Sequence, residues 1–376
     1  MQAARIRSES TADKYAKKQI EEGYNLWDRD YPLGALRLFI FKAESALPFQ
    51  QGELLDAASE LSVQLNGKED AKETYAIASD KYRMVQQLLL SEMMTVKILE
   101  INEGTAAAIQ AMEELIKKYQ KTPEEIVALT DKKERAAYAR AYLYLAELYL
   151  THPSGVEELP AEQLTKAKEA AQLSTTVGKG VWERVHHAYN VLGDALEQSG
   201  DLQGAKEAYQ SAVTLCPYYV ECLERLIAVS EELSEGTPGQ EEHLLLLEAL
   251  LRAHPSADRL REKAFLLSEL QGDEKALAFI AEQLNEGPPQ QEMESVGEAS
   301  SNTACVLLKA KAAILADSGR MKEALEAALQ AKEADPDDAE TAKLIEDSSK
   351  RYFKKKKNEN EVGMFFSFFI VVIPVT

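Results

Sequence analysis

The chain has little cysteine, proline or glycine. Its three cysteines, Cys216, Cys222 and Cys305, form no Cys-x-x-Cys pair, and the odd number argues against a disulfide framework. A reducing compartment, the cytoplasm, is therefore expected. The 12 prolines and 18 glycines fall mostly between stretches of helical periodicity, as they do where helices are joined by short turns. The opening MQAARIRSES has no apolar run and so no secretory signal; Glu9 and the acidic residues after it argue against a mitochondrial presequence. A Gly-rich phosphate loop, a nucleophile elbow and an HExxH pattern are all missing, so no catalytic residue and no cofactor is assigned and the chain is read as a non-enzyme. Cations are outnumbered as well, 43 Lys and Arg against 63 Asp and Glu, for a net charge of −20. Such a surface repels phosphates, which disfavours nucleic acid and favours basic or amphipathic protein and peptide partners.

What remains is helix-forming. Hydrophobic residues make up 45% of the chain, enough for a buried core, and Ala, Leu, Glu, Lys and Gln dominate. The clearest unit is 186–219, HHAYNVLGDALEQSGDLQGAKEAYQSAVTLCPYY, two amphipathic helices separated by Gly200-Asp201 and stopped by Pro217. Small residues at Gly193, Ala205 and Ala212 let two antiparallel helices approach. Large ones at Tyr189, Leu192, Leu196 and Tyr209 fill the space between layers. This spacing resembles the tetratricopeptide repeat: Tyr189, Leu192, Gly193, Leu196, Ala205, Tyr209, Ala212 and Pro217 match all eight positions of that family's signature.

A second unit, 305–338, fits through Leu308, Ala312, Leu315, Ala324, Ala331 and Pro336, with Gly319 at the turn; it departs at Lys311 and Ala328. Weaker units are 139–178 (Tyr142, Leu145, Ala146, Tyr149, then Ala167 and Ala171 after a lengthened turn), 17–50 (Trp27, Ala43, Pro48) and 89–122 (Ala108, Met112, Leu115 after Glu103-Gly104). Segments 51–66, 69–88, 220–235, 240–254 and 257–282 are amphipathic and helical without the full signature. The expected fold is an all-α superhelical array, an α-solenoid of antiparallel helix pairs, in which each pair buries its core only against its neighbours. The expected organisation is an N-terminal tail over 1–10, a degenerate array over 11–283, a flexible acidic loop over 284–302, a C-terminal repeat with an extension helix over 303–352, and a basic then apolar tail over 353–376.

That tail, VGMFFSFFIVVIPVT after KKKK, is shorter than the roughly 20 residues needed to span a bilayer. Three readings stay open: a short anchor flanked by Lys354–Lys357, an interfacial or partner-docked segment, and an end without a role. The stretch AKLIEDSSKRYFKKKKNENE is similar to the basic helix between repeats and J domain in certain co-chaperones, and to the basic extension of large immunophilins. No J-domain His-Pro-Asp and no isomerase domain accompany it.

The resemblance implies that the first helix of each pair lines a concave protein-binding face. Residues three and four apart share such a face: His187, Asn190, Asp194 and Glu197 in one unit, Arg140, Leu143, Glu147 and Leu150 in another, and Val306, Lys309, Ala313 and Ala316 in a third. The chaperone-tail clamp of Lys, Asn and Arg seen in some family members is not matched: Glu21 stands one turn before Asn25, Asn190 is followed by Asp194, and Lys309 by Ala313. His186 and His187 are expected to point about 100° apart on their helix, one packed and one on the surface, with no metal assigned; His152, His243 and His254 each stand alone. The function expected is a non-enzymatic adaptor or scaffold, as a co-chaperone or an assembly subunit; the alternative is a membrane-recruited receptor using 362–376.

Overall fold

Helix follows helix through the described residues, and each is held by packing on its sequence neighbours. The structure, a computed structural model, describes residues 18, 20–119, 121–152, 159–233, 237–286 and 299–358. The apolar tail at 362–376 and residues 1–10 lie outside them. No strand occurs among the described residues, and no helix there is long and apolar enough to cross a membrane.

The chain divides into two compact units, Met1–Glu235 and Gly236–Thr376. The first holds α1 (20–28), α2 (Pro32–Ala43), α3 (Pro48–Gln64), α4 (Lys68–Met84), α5 (Leu88–Glu103), α6 (Thr105–Lys118), the short α7 (Pro123–Val127), α8 (Lys132–Leu150), α9 (Ala161–Gly178), α10 (Val185–Gln198), α11 (Leu202–Leu215) and α12 (Val220–Leu233). The second holds α13 (Thr237–Ala253), α14 (Ala257–Gln271), α15 (Asp273–Glu286), α16 (Ala299–Asp317), α17 (Met321–Ala334) and α18 (Ala339–Asn358). The segment 257–282, expected to be amphipathic and helical, is two helices: Gly272, at φ 91°, ends α14 and starts α15. Of the acidic loop expected over 284–302, residues 284–286 belong to α15 and 299–302 to α16, and 287–298 lie outside the described residues.

The small-on-large packing expected of tetratricopeptide-type pairs is present. Gly193 on α10 faces the ring of Tyr209 on α11, and Ala205, Tyr209 and Ala212 are fully buried. The same contact recurs at Gly23 and Phe39, again 16 positions apart in the sequence, where α1 meets α2. In the second unit Ala312 and Ala328 are both fully buried in the α16–α17 core, so a small pair replaces the small-on-large one.

One turn type joins many of these helices. After α10, Gly200 takes φ 82°, its N–H donates to Glu197 O and the next N–H, of Asp201, reaches back to Leu196 O at 2.9 Å. This pair of hydrogen bonds closes a helix end by satisfying carbonyls that the helix leaves open. Asp30, Asn66 and Gln86 make the same turn without glycine, at φ 66°, 67° and 60°, and the N–H groups of Tyr31, Gly67 and Gln87 bond Leu26, Ser62 and Tyr82 carbonyls.

Candidate functional site

Helix α5 reads LLLSEMMTVKILEINE, an apolar segment with one cation near its middle, Lys97. That cation is buried, and an isolated buried charge is too costly to keep. Asp56 and Glu60 on α3 supply its partners: Nζ donates to Asp56 Oδ1 at 2.9 Å and to a Glu60 carboxylate oxygen. The ammonium also lies over the rings of Tyr75 (5.4 Å) and Tyr144 (5.2 Å). From α8, Arg140 bonds the other oxygen of Asp56 and reaches the Tyr82 hydroxyl at 3.1 Å. Two cations from α5 and α8 thus close on one buried carboxylate of α3. Burial opposes the Lys97 charge, but Asp56 and Glu60 outweigh it and hold its pKa well above the usual lysine range.

The same face of α8 continues through Tyr144 to Glu147. The Tyr144 hydroxyl donates to Glu100 Oε2 of α5 at 2.7 Å. The Glu147 side chain is exposed, and no described residue pairs with its carboxylate. Crowding by the surrounding protein, then the Glu60 charge, pushes its pKa up to about 8, with Lys97 and Arg184 opposing. Water on its open side tempers the crowding effect. Glu53 on α3 is pushed up to about 7 by burial, against the nearby Arg140 charge.

A second cluster ties α1 to the start of α10. Asp28, at the end of α1, is buried, and its carboxylate oxygens lie 3.2 Å from His186 Nε2 and 3.0 Å from His187 Nε2 on α10. Arg184 stands 3.5 Å from Asp28 Oδ1 and stacks over Tyr24 and Trp27 of α1 at 4.0 and 4.6 Å. Burial would raise the Asp28 pKa, but hydrogen bonds from the two histidines and the Arg184 charge hold it well below the usual carboxylate range. Burial and then Arg184 lower the His187 pKa to about 3, so its ring is neutral. The expectation that one of these histidines packs and the other faces solvent is therefore corrected. The entry of α10 lies against α1, and both rings turn to the same carboxylate.

The Asp28, His186 and His187 donor atoms lie within 4.8 Å of one another, and this donor set is of the kind that holds zinc. The fit fails on Arg184. Its guanidinium contacts His187 Nε2 and stands beside Asp28 Oδ1, so a cation already sits where a metal ion would go. The cluster is a closed hydrogen-bonded ion pair.

The remaining residues of the expected binding face are placed as follows. Asn190 is buried, not open, and its Oδ1 accepts no hydrogen bond from a described residue. The Tyr209 hydroxyl lies between two carboxylates, 2.7 Å from Asp194 Oδ1 and 2.6 Å from Glu197 Oε2, and can donate to either, and Arg225 of α12 stands 3.9 Å from Glu197. Burial pushes the Asp194 carboxyl up to about 6, although the Tyr209 bond opposes this. In unit 2, Lys309 pairs with Asp338 at 3.2 Å and Glu340 at 2.6 Å, fastening α16 to the start of α18. Leu143 and Val306 are buried. The structure joins Arg140 and Glu147 on one face of α8, places His187 in the Asp28 cluster, and groups Asp194 with Glu197 around Tyr209. Asp28, Asp56, Lys97 and Arg184 escaped the sequence reading. A lone charge inside an apolar helical run was the available signal for Lys97. The three cysteines are free and buried, as expected of small apolar residues.

No protein-family model matches the chain, and no curated protein matches it. Among solved structures it is similar to PilF of Pseudomonas aeruginosa, at 9% identity and a TM-score of 0.41, over 65% of this chain and 95% of that one. It is similar to MamA at 14% identity and 0.34, over 60% and 95% of the two chains. A thermophilic TPR protein of Thermus thermophilus is similar at 17% and 0.28, over 57% and 99%. At these identities and scores the likenesses carry nothing about partners or activity.

Proposed function

We propose that the chain is a non-enzymatic adaptor that holds a basic protein or peptide segment against the first helices of unit 1. The supporting observation is Glu147. Nearby Lys97 is held by Asp56 and Glu60, whereas the Glu147 carboxylate is exposed, pairs with no described residue and feels the Glu60 charge. A lysine or arginine brought by a partner would supply the missing cation through a charge-assisted hydrogen bond. Asp194 and Glu197, among the expected binding residues, add negative charge farther along α10, and the net charge of −20 favours approach of a basic segment. Such an adaptor would act in the cytoplasm as a scaffold, either as an assembly subunit or beside a chaperone.

The test is affinity capture from lysate with mass spectrometry, comparing the wild type with Glu147→Lys. The expected result is loss of a basic partner from the variant, with an unchanged circular dichroism spectrum. If every partner captured by the wild type survives the reversal, Glu147 is not on the binding face and this reading is lost.

A further inference from the structure

Helix α2 buries Ala35, Phe39 and Ala43 and leaves an apolar stripe on its other side. Leu33 is 58% exposed, Ile40 51% and Phe41 67%. With Arg37 and Glu44, also exposed, these residues recur at steps of three and four and fall within about a 100° arc of the helix surface. Glu44 still has helical dihedrals, φ −59° and ψ −35°, so it continues the stripe. No described residue pairs with Arg37 or Glu44. A helix face in a repeat array on which no neighbouring helix stacks is ordinarily polar. Here three large apolar side chains occupy that position.

The stripe has an internal symmetry. Ile40 and Phe41 form its centre, Arg37 precedes the centre by three positions and Glu44 follows it by three. Beyond them lie Leu33 on one side and Leu47, 39% exposed, on the other. A second copy of α2 laid antiparallel across the centre would set Ile40 against the partner's Phe41 and Arg37 against the partner's Glu44. It would do so twice, once on each side of a two-fold axis. This is the self-complementarity that an isologous interface requires.

We propose that the Leu33–Arg37–Ile40–Phe41–Glu44 face of α2 is a homodimer interface, occupied by the same face of a second copy of this chain. The opposite charges are what select this occupant. A lipid surface would accept the apolar residues and Arg37 but would set Glu44 against anionic headgroups. The two-fold arrangement leaves neither charge unpaired.

Sedimentation velocity of the full chain over a range of micromolar concentrations tests this. The wild type is expected to show a reversible monomer–dimer equilibrium, and Phe41→Glu to be monomeric. Arg37→Glu sets two carboxylates opposite one another at each site and is expected to weaken the dimer about tenfold or more. Adding Glu44→Arg to Arg37→Glu restores the pair with reversed polarity and is expected to return the dimer toward wild-type strength, an outcome that misfolding of the single variant cannot produce. A wild type that stays monomeric, or a dimer indifferent to Phe41→Glu and to both charge changes, overturns the proposal. So does binding to anionic phospholipid vesicles that Phe41→Glu abolishes while the wild type remains a monomer.

Discussion

The ring of Tyr209 on α11 lies directly against the bare Cα of Gly193 on α10, in the space that any side chain at 193 would need. The ring is fully buried and its hydroxyl is fixed by Asp194 and Glu197, so it cannot withdraw freely. Gly193→Ala is therefore expected to destabilise unit 1 by about 1–3 kcal/mol, the usual cost of overpacking. Urea denaturation measures this. Tyr209→Leu in the same chain should recover part of the loss; full additivity of the two changes would show that the contact is not what Gly193 serves.

Gln86 offers a change in the opposite direction. It holds φ 60° in the turn between α4 and α5, a conformation that costs a residue with a Cβ roughly 1–2 kcal/mol. Glycine relieves that strain and gives back part of it through chain entropy. Gln86→Gly is expected to raise stability by about 0.5–1 kcal/mol, seen as a higher urea midpoint with an unchanged slope. A lower midpoint would mean that the Gln86 side chain makes a contact worth more than the strain.

Lys97 is the centre of the buried network. Lys97→Met leaves Asp56 with Arg140 alone and takes the ammonium away from Glu60, and removing one partner of a buried ion pair typically costs about 3–5 kcal/mol. The expected result is a loss in that range by urea denaturation. A change under about 1 kcal/mol would show that water enters the site and screens the remaining charges.

The pH dependence divides by residue. His187 has its pKa lowered to about 3 in the folded chain, below the ordinary histidine value of 6.5. The unfolded chain binds the proton first, so this group removes stability as pH falls from about 6.5 toward 3. His187→Gln is expected to flatten the stability profile over that window, relative to the wild type, while leaving it parallel above about pH 7. A profile unchanged below about pH 6 would mean that His187 is protonated in the folded state.

Glu147 acts with the opposite sign. Its carboxyl is raised to about 8 in the folded chain from an ordinary 4.5, so its charge costs stability increasingly from about pH 4.5 to 8. Glu147→Gln is expected to be more stable than the wild type above pH 8, by on the order of 1 kcal/mol after solvent screening, and equal to it below pH 4.5. Thermal melts at the two ends of this range distinguish the variants. Equal melting temperatures at both ends would show that Glu147 is already neutralised by solvent or by a partner.

How much of this was legible depended on where the signals lay in the chain. The pair at 186–219 could be read in full because Gly193, Gly200, Tyr209 and Pro217 each declare a local role. The α3–α4 and α4–α5 turns carry no such marker, because Asn66 and Gln86 take the left-handed conformation usually given to glycine, and only the ends of the amphipathic stretches 51–66 and 69–88 place them. Gly272 divides 257–282 even though the amphipathic pattern runs on through both sides of it. On the site, Arg140 and Glu147 follow from helical spacing alone. Asp28 and Arg184 do not: each reads as an ordinary surface charge until distant helices meet. The burial of Asn190 escaped for a related reason, since helical spacing sorts residues into faces without saying what covers a face.

The bond between Asp28 and His186 spans 158 positions. A repeat array ordinarily gains its stability from neighbour to neighbour, and its ends can fray without disturbing the middle. Here the first helix has two obligations, one to α2 immediately after it and one to a helix synthesised much later. During synthesis α1 must wait, with Asp28 lacking its histidine and arginine partners, until α10 has left the ribosome. Once the bond forms, loosening the first helix pair also exposes the entry of α10. From α1 to α10, unit 1 therefore trades the gradual melting of neighbour-held repeats for unfolding that couples distant helices.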